Sequence, residues 1–121
     1  MIHEESRLQA ACVRWFRMRY SHIGNLLFAV GNGGARRKIE ACIMKSEGVT
    51  AGVADLILLV GHGGYNALCV EMKTDAKTSR QSPAQKAWQA SVEENGGRYV
   101  VCRSIDDFMN EITEYLHQPK N

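Results

Sequence analysis

The 121-residue sequence contains no apolar run approaching the roughly 20 residues that a membrane helix needs, so a helical membrane span is not expected. It has no Cys-x-x-Cys pair. Cys12, Cys42, Cys69 and Cys102 are scattered, as are His3, His22, His62 and His117, which argues against a structural zinc site. Three of the cysteines lie in apolar stretches and read as reduced, buried thiols acting as small hydrophobes. There is no low-complexity segment and no internal repeat. The start, Met1-Ile2-His3-Glu4-Glu5, is acidic where a signal peptide would be basic and then apolar, and a cytoplasmic protein is expected. No Gly-Lys-Ser/Thr closes the glycine-rich Gly31-Asn32-Gly33-Gly34, so it is not a Walker A loop and no nucleotide cofactor is expected. The net charge of +2 is too small to argue nucleic-acid binding by itself.

What is present is ordinary apolar content and a clear alternation of helical and extended patterns. Leu8, Cys12, Trp15, Phe16 and Met18 recur at helical spacing and predict a helix from Glu4 to about Tyr20. Asn25 to Val30 reads as a short buried strand. A second helix is expected from Ala35 to about Ser46, ended by Gly48. Leu56 to Val60 and Ala67 to Val70 are apolar runs on either side of Gly61-His62-Gly63-Gly64, which predicts a β-hairpin of interior strands. Ser82-Pro83-Ala84-Gln85 has the composition of a capping box with proline at the first helical position. The helix it opens ends at Asn95-Gly96-Gly97. Arg98 to Cys102 is a last strand, and Ser104 caps a last helix running to about Leu116. The segment from His117 to Asn121 is expected to fray. The order α-β-α-β-β-α-β-α predicts one α/β domain over residues 1–121, with a mixed central β-sheet flanked by helices.

The hairpin carries the chemistry. Folded about its turn, it sets Asp55 opposite the neighbourhood of Val70 and Glu71. Glu71 and Lys73 are two residues apart and therefore project from one face of a strand. Acids and a lysine at the end of interior strands are costly unless paired or ligated. Two carboxylates are hard oxygen donors suited to Mg²⁺ or Mn²⁺, and the backbone carbonyl of Met72 lies between the Glu71 and Lys73 side chains as a further possible ligand. A cation held there polarises a phosphoryl oxygen and activates water, with Lys73 placed to stabilise charge. The alternative is a solvated hairpin whose charges pair with one another. Basic residues flank these acids in sequence: Arg36, Arg37, Lys38 and Lys45 before them, Lys77, Arg80 and Lys86 after. Asn32 with Gly33 and Gly34, leading into Arg36 and Arg37, suits a phosphate clamp. Solvated helix faces are the plainer reading of such clusters. Trp15 and Trp88 stand at core spacing.

Glu5 with Gln9, Gly52-Val53-Ala54-Asp55-Leu56, Glu71-Met72-Lys73, and Ser82-Pro83-Ala84-Gln85 with Trp88 together resemble the virus-type replication-repair nuclease (VRR-NUC) domain of the PD-(D/E)xK nuclease superfamily. The match runs in the family's order over nearly the whole chain. Ala54 stands where the family usually has proline. The resemblance implies a restriction-endonuclease-like core and one or two Mg²⁺ or Mn²⁺ ions. It implies Asp55 and Glu71 as ligands, Lys73 as the catalytic lysine, Gln85 as a site residue and Glu5 as an added acid. Without it, Glu5 is a helix-start acid favoured by the dipole, and Gln85 is a capping residue. Stand-alone members resemble Holliday-junction resolvases acting as homodimers, which implies a DNA endonuclease on branched, four-way substrates. A flap or nicking endonuclease and a non-catalytic DNA-binding module are the alternatives. The small stand-alone format suggests a bacterial or phage source.

Overall fold

A computed structural model describes residues 3–31, 38–74 and 80–121, with no side-chain description for residue 3 or residues 38–41. Its elements are α1 (His3–Arg19), a 3-10 segment (Ser21–Leu26), β1 (Leu27–Ala29), α2 (Lys38–Ser46), β2 (Leu56–Leu58), β3 (Leu68–Met72), α3 (Pro83–Glu94), β4 (Arg98–Cys102) and α4 (Ile105–His117). The four strands form one sheet in the order β1-β2-β3-β4. β1–β2 and β2–β3 are antiparallel, whereas β3–β4 is parallel, with α3 as the crossover. This is the mixed, helix-flanked sheet that the residue pattern predicts.

Alternation along the strands divides the molecule into two apolar layers. Leu27, Leu56, Leu58, Leu68, Val70, Met72, Val100 and Cys102 face α1 and α4, where Cys12, Phe16, Phe108, Ile112 and Tyr115 close the larger cluster. The intervening residues Ile57, Cys69, Tyr99 and Val101 face α3 and pack with Trp88 and Val92. β3 is buried along its full length, as an interior strand covered on both faces must be. Both tryptophans pack in these layers: Trp15 lies edge-on to Phe108 and Tyr20, and Trp88 edge-on to Tyr99.

Four expectations change. The strand expected over residues 25–30 shrinks to Leu27–Ala29, because the chain rounds its corner as a 3-10 turn held by α1. There Arg17 donates from Nε to Gly24 O (3.1 Å) and from Nη2 to Leu27 O (3.0 Å). β2 stops at Leu58, and Leu59 is 57% exposed, so the run to Val60 is not all interior. α2 is described from Lys38, with residues 35–37 of the expected helix outside the described residues, and Cys42 is exposed there together with Ile43, so the buried-thiol reading does not extend to it. The last segment does not fray. It lies along the β2–β3 turn, with Gly63 N donating to Pro119 O (2.8 Å) and Asn121 N to Gly61 O (3.1 Å). The Asn121 side chain accepts from Gly64 N and donates to Tyr65 O, each at 2.8 Å. The open carbonyls and amides of a glycine-rich turn needed partners, and an asparagine supplies both kinds.

Asn121→Ala removes two of these hydrogen bonds. It is expected to lower stability in urea by about 1 kcal/mol and to speed amide exchange, read by NMR, by about fivefold at Val70, the global factor, and by more than that at Gly64, which also loses its local partner.

Candidate nuclease site

β2 and β3 pair with Leu56 opposite Val70, which brings Asp55 and Glu71 together one step further along the ladder. Asp55 Oδ2 accepts a hydrogen bond from Met72 N at 2.8 Å, so the loop carrying the aspartate is tied to the strand carrying the glutamate. Glu71 falls on the α3 side of β3 and is 2% exposed. Lys73 follows just past the strand, with its own backbone N–H donating to Cys102 O (3.0 Å). Its Nζ lies 3.6 Å from Glu71 Oε2, and its side chain is 12% exposed.

The start of α3 completes the cluster. Ser82 and Gln85 form the full reciprocal capping box. Yet the Gln85 side chain also reaches into the site: Nε2 donates to Glu71 Oε2 at 2.8 Å, and Oε1 accepts from Lys73 Nζ at 3.3 Å. Capping residue and site neighbour, alternatives in the sequence, are one arrangement in space. Gly52 allows the close approach. Its φ is +86°, and a Cβ there would sit 2.3 Å from Ala84 O, so any other residue would push α3 away from the loop leading to Asp55.

Glu71 is electrostatically unsatisfied. Burial, then the neighbouring charge of Asp55, pushes the Glu71 carboxyl from its ordinary 4.5 up to about 8, with Lys73 only partly opposing. Its second oxygen, Oε1, is buried without a hydrogen-bond partner among the described residues. An orphaned carboxylate oxygen beside a second carboxylate fits a divalent cation, which would supply the missing positive charge. Asp55 and Glu71 are the residues that would hold it. Among the described residues, no three His, Cys, Asp or Glu side chains are grouped so that they could hold a metal ion together. Glu5, half-buried in the first turn of α1, therefore forms no triad with Asp55 and Glu71. Two protein carboxylates suit Mg²⁺, which keeps several of its waters.

Of the expected DNA contacts, Lys45, Arg80 and Lys86 are exposed. Lys38 begins α2. Asn32, Arg36, Arg37 and Lys77 lie outside the described residues. Residue patterns gave no sign of Gln81, whose Nε2 donates to Gln89 Oε1 (2.8 Å) and Tyr99 Oη (3.2 Å), fastening the approach to α3 onto β4.

The family model for the VRR-NUC domain matches residues 1–106. The chain belongs to the VRR-NUC family. A solved structure described as a "VRR_NUC domain protein" superposes with a TM-score of 0.83 at 26% identity, covering 96% of this chain and 90% of that one. None of the curated proteins compared with the chain matches it. Membership makes this a nuclease-type domain with a restriction-endonuclease-like fold. Among the described residues, no helix of this VRR-NUC chain is long and apolar enough to cross a membrane.

The Glu71 carboxyl sets a pH dependence. Between about 4.5 and about 8 the folded protein keeps a proton that the unfolded chain has released. Its contribution is therefore fully favourable below about 4.5 and is lost as pH rises through about 8. In EDTA, the melting temperature is expected to fall across that window. Glu71→Gln is expected to remove that fall, and saturating Mn²⁺ to flatten it in the wild type, both read by thermal unfolding.

Proposed function

We propose that this domain, taken as residues 1–121, is a divalent-metal-dependent DNA endonuclease that hydrolyses phosphodiester bonds, using Mg²⁺ or Mn²⁺. The observation that supports it most is the pairing of half-buried Asp55 with buried Glu71, with Glu71 Oε1 left without a partner among the described residues and Lys73 Nζ 3.6 Å from Glu71 Oε2. A cation bound by these acids supplies Lewis-acid polarisation of the phosphate and a lowered pKa for an attacking water. The chain's residues do the rest. Asp55 and Glu71 orient the ligand sphere, and the Met72 carbonyl between Glu71 and Lys73 is available to it. The Lys73 ammonium meets charge that develops on the phosphoryl group or holds the water. Gln85 restrains Glu71 and Lys73 relative to one another. Glu5 serves as an added acid only if substrate or metal draws α1's first turn toward the site.

Recognition would rest on backbone charge and DNA shape rather than base reading, with Lys45, Arg80 and Lys86 exposed for phosphate contact together with Asn32, Arg36, Arg37, Lys38 and Lys77. One chain offers one site, and a four-way junction has two-fold symmetry and needs two cuts. A homodimer acting on branched DNA in the manner of a Holliday-junction resolvase meets that requirement. A bacterial cytoplasm, including one infected by phage, is the setting this activity fits.

The test is cleavage of four-way junctions, 5′ flaps and linear duplex in Mg²⁺ and in Mn²⁺. The expected result is metal-dependent cleavage strongest on junctions, abolished in Asp55→Ala and at least about a hundredfold slower in Lys73→Ala, with junction binding retained by both. Preference for flaps would replace the junction reading. Binding without cleavage by wild type in either metal would mark a non-catalytic module.

A further inference from the structure

The Gln85 amide has two ends that differ only in which is oxygen, and its neighbours decide the matter. Ser82 N–H lies 2.8 Å from one end, and a backbone amide can only donate, so that end is Oε1. The Lys73 ammonium, also donor-only, approaches the same atom at 3.3 Å. The other end is then Nε2, which donates to Glu71 Oε2 at 2.8 Å. One glutamate oxygen is thereby occupied and the other, Oε1, is left without a partner among the described residues. The Lys73 ammonium has three N–H donors and sits on a flexible stem, so its 3.3 Å contact follows the side chain when it turns to a phosphate or a water. The shorter contact, from the Ser82 backbone N–H, is fixed by the main chain and keeps the amide from turning over.

We propose that Ser82 is a positioning residue of the metal site: its backbone N–H locks the Gln85 amide so that Glu71 presents a single free oxygen. This rests on the metal-dependent reading above. The turn that carries Ser82 is itself fixed. Gly52 abuts the Ala84–Gln85 backbone, and Gln81 is fastened to Tyr99. The Ser82 hydroxyl, accepting from Gln85 N at 3.1 Å, does the separate work of capping α3. Hydroxyl and N–H can be removed one at a time. Ser82 has φ −72° and ψ 163°, a backbone that proline also adopts, even before another proline. Ser82→Ala removes the hydroxyl alone; Ser82→Pro removes hydroxyl and N–H together.

The experiment is Mn²⁺ binding to the DNA-free full chain, followed by electron paramagnetic resonance, for wild type and both variants, with melting temperatures in EDTA. Ser82→Pro is expected to bind Mn²⁺ roughly ten- to a hundredfold more weakly than Ser82→Ala, the usual scale for loss of an outer-shell partner, while the two melt alike. Equal affinities in the two variants would overturn the proposal and leave the nuclease reading intact. A wild type that binds no Mn²⁺ would overturn the metal-dependent reading itself, and Ser82's part with it. Should Ser82→Pro fail to fold, the decision passes to a scalar coupling through the hydrogen bond from Ser82 N to Gln85 Cδ in the wild type. Its presence with and without Mn²⁺ supports the lock, and its absence overturns it.

Discussion

A carboxylate with almost no access to water is the constraint around which this molecule is arranged. Glu71 sits in a strand buried on both faces, where an uncompensated charge costs several kcal/mol. Its compensation comes from two directions, Lys73 just past the strand and the Gln85 amide from α3, and Oε1 has no partner among the described residues. Asp55 makes the deficit worse, since a second acid beside it opposes ionisation of Glu71. A divalent ion of the kind proposed above would relieve that deficit and raise stability by binding.

The rest of the fold reads as the means of holding that pair. The antiparallel β2–β3 ladder sets the distance between Asp55 and Glu71, and Met72 N fixes the aspartate's orientation. The parallel β3–β4 pairing requires a crossover, and the crossover helix begins beside the carboxylates. Its capping box therefore opens into the site instead of into solvent, and Gly52 removes the one side chain that would keep the two apart.

Much of this was legible beforehand. Glu-x-Lys two residues apart fixes a shared face whatever the tertiary structure, and the hairpin register follows from two apolar runs and a glycine turn. Ser82-Pro83-Ala84-Gln85 announced a helix start because capping is local chemistry. The limits were non-local. That Gln85 serves the cap and the site together depends on where β3 passes, which no spacing within residues 82–85 encodes. The shortening of β1 depends on Arg17, ten residues away, finding the Leu27 carbonyl. The ordered last residues depend on unsatisfied amides in a turn 56 residues earlier in the chain. Tyr99 and Gln81 meet across 18 residues, and neither residue type signals the other.

α4 carries a consequence of its own. The stretch that matches the family ends at residue 106, within the first turn of this helix. Phe108, Ile112 and Tyr115, all beyond it, close the larger apolar cluster over Leu58, Val70 and Val100, and the Tyr115 hydroxyl donates to Val60 O at 2.6 Å. A fragment trimmed to the recognisable stretch would keep Asp55, Glu71 and Lys73, yet lay bare one side of the sheet that aligns them. The span that identifies this chain is thus shorter than the span that must be made for it to fold.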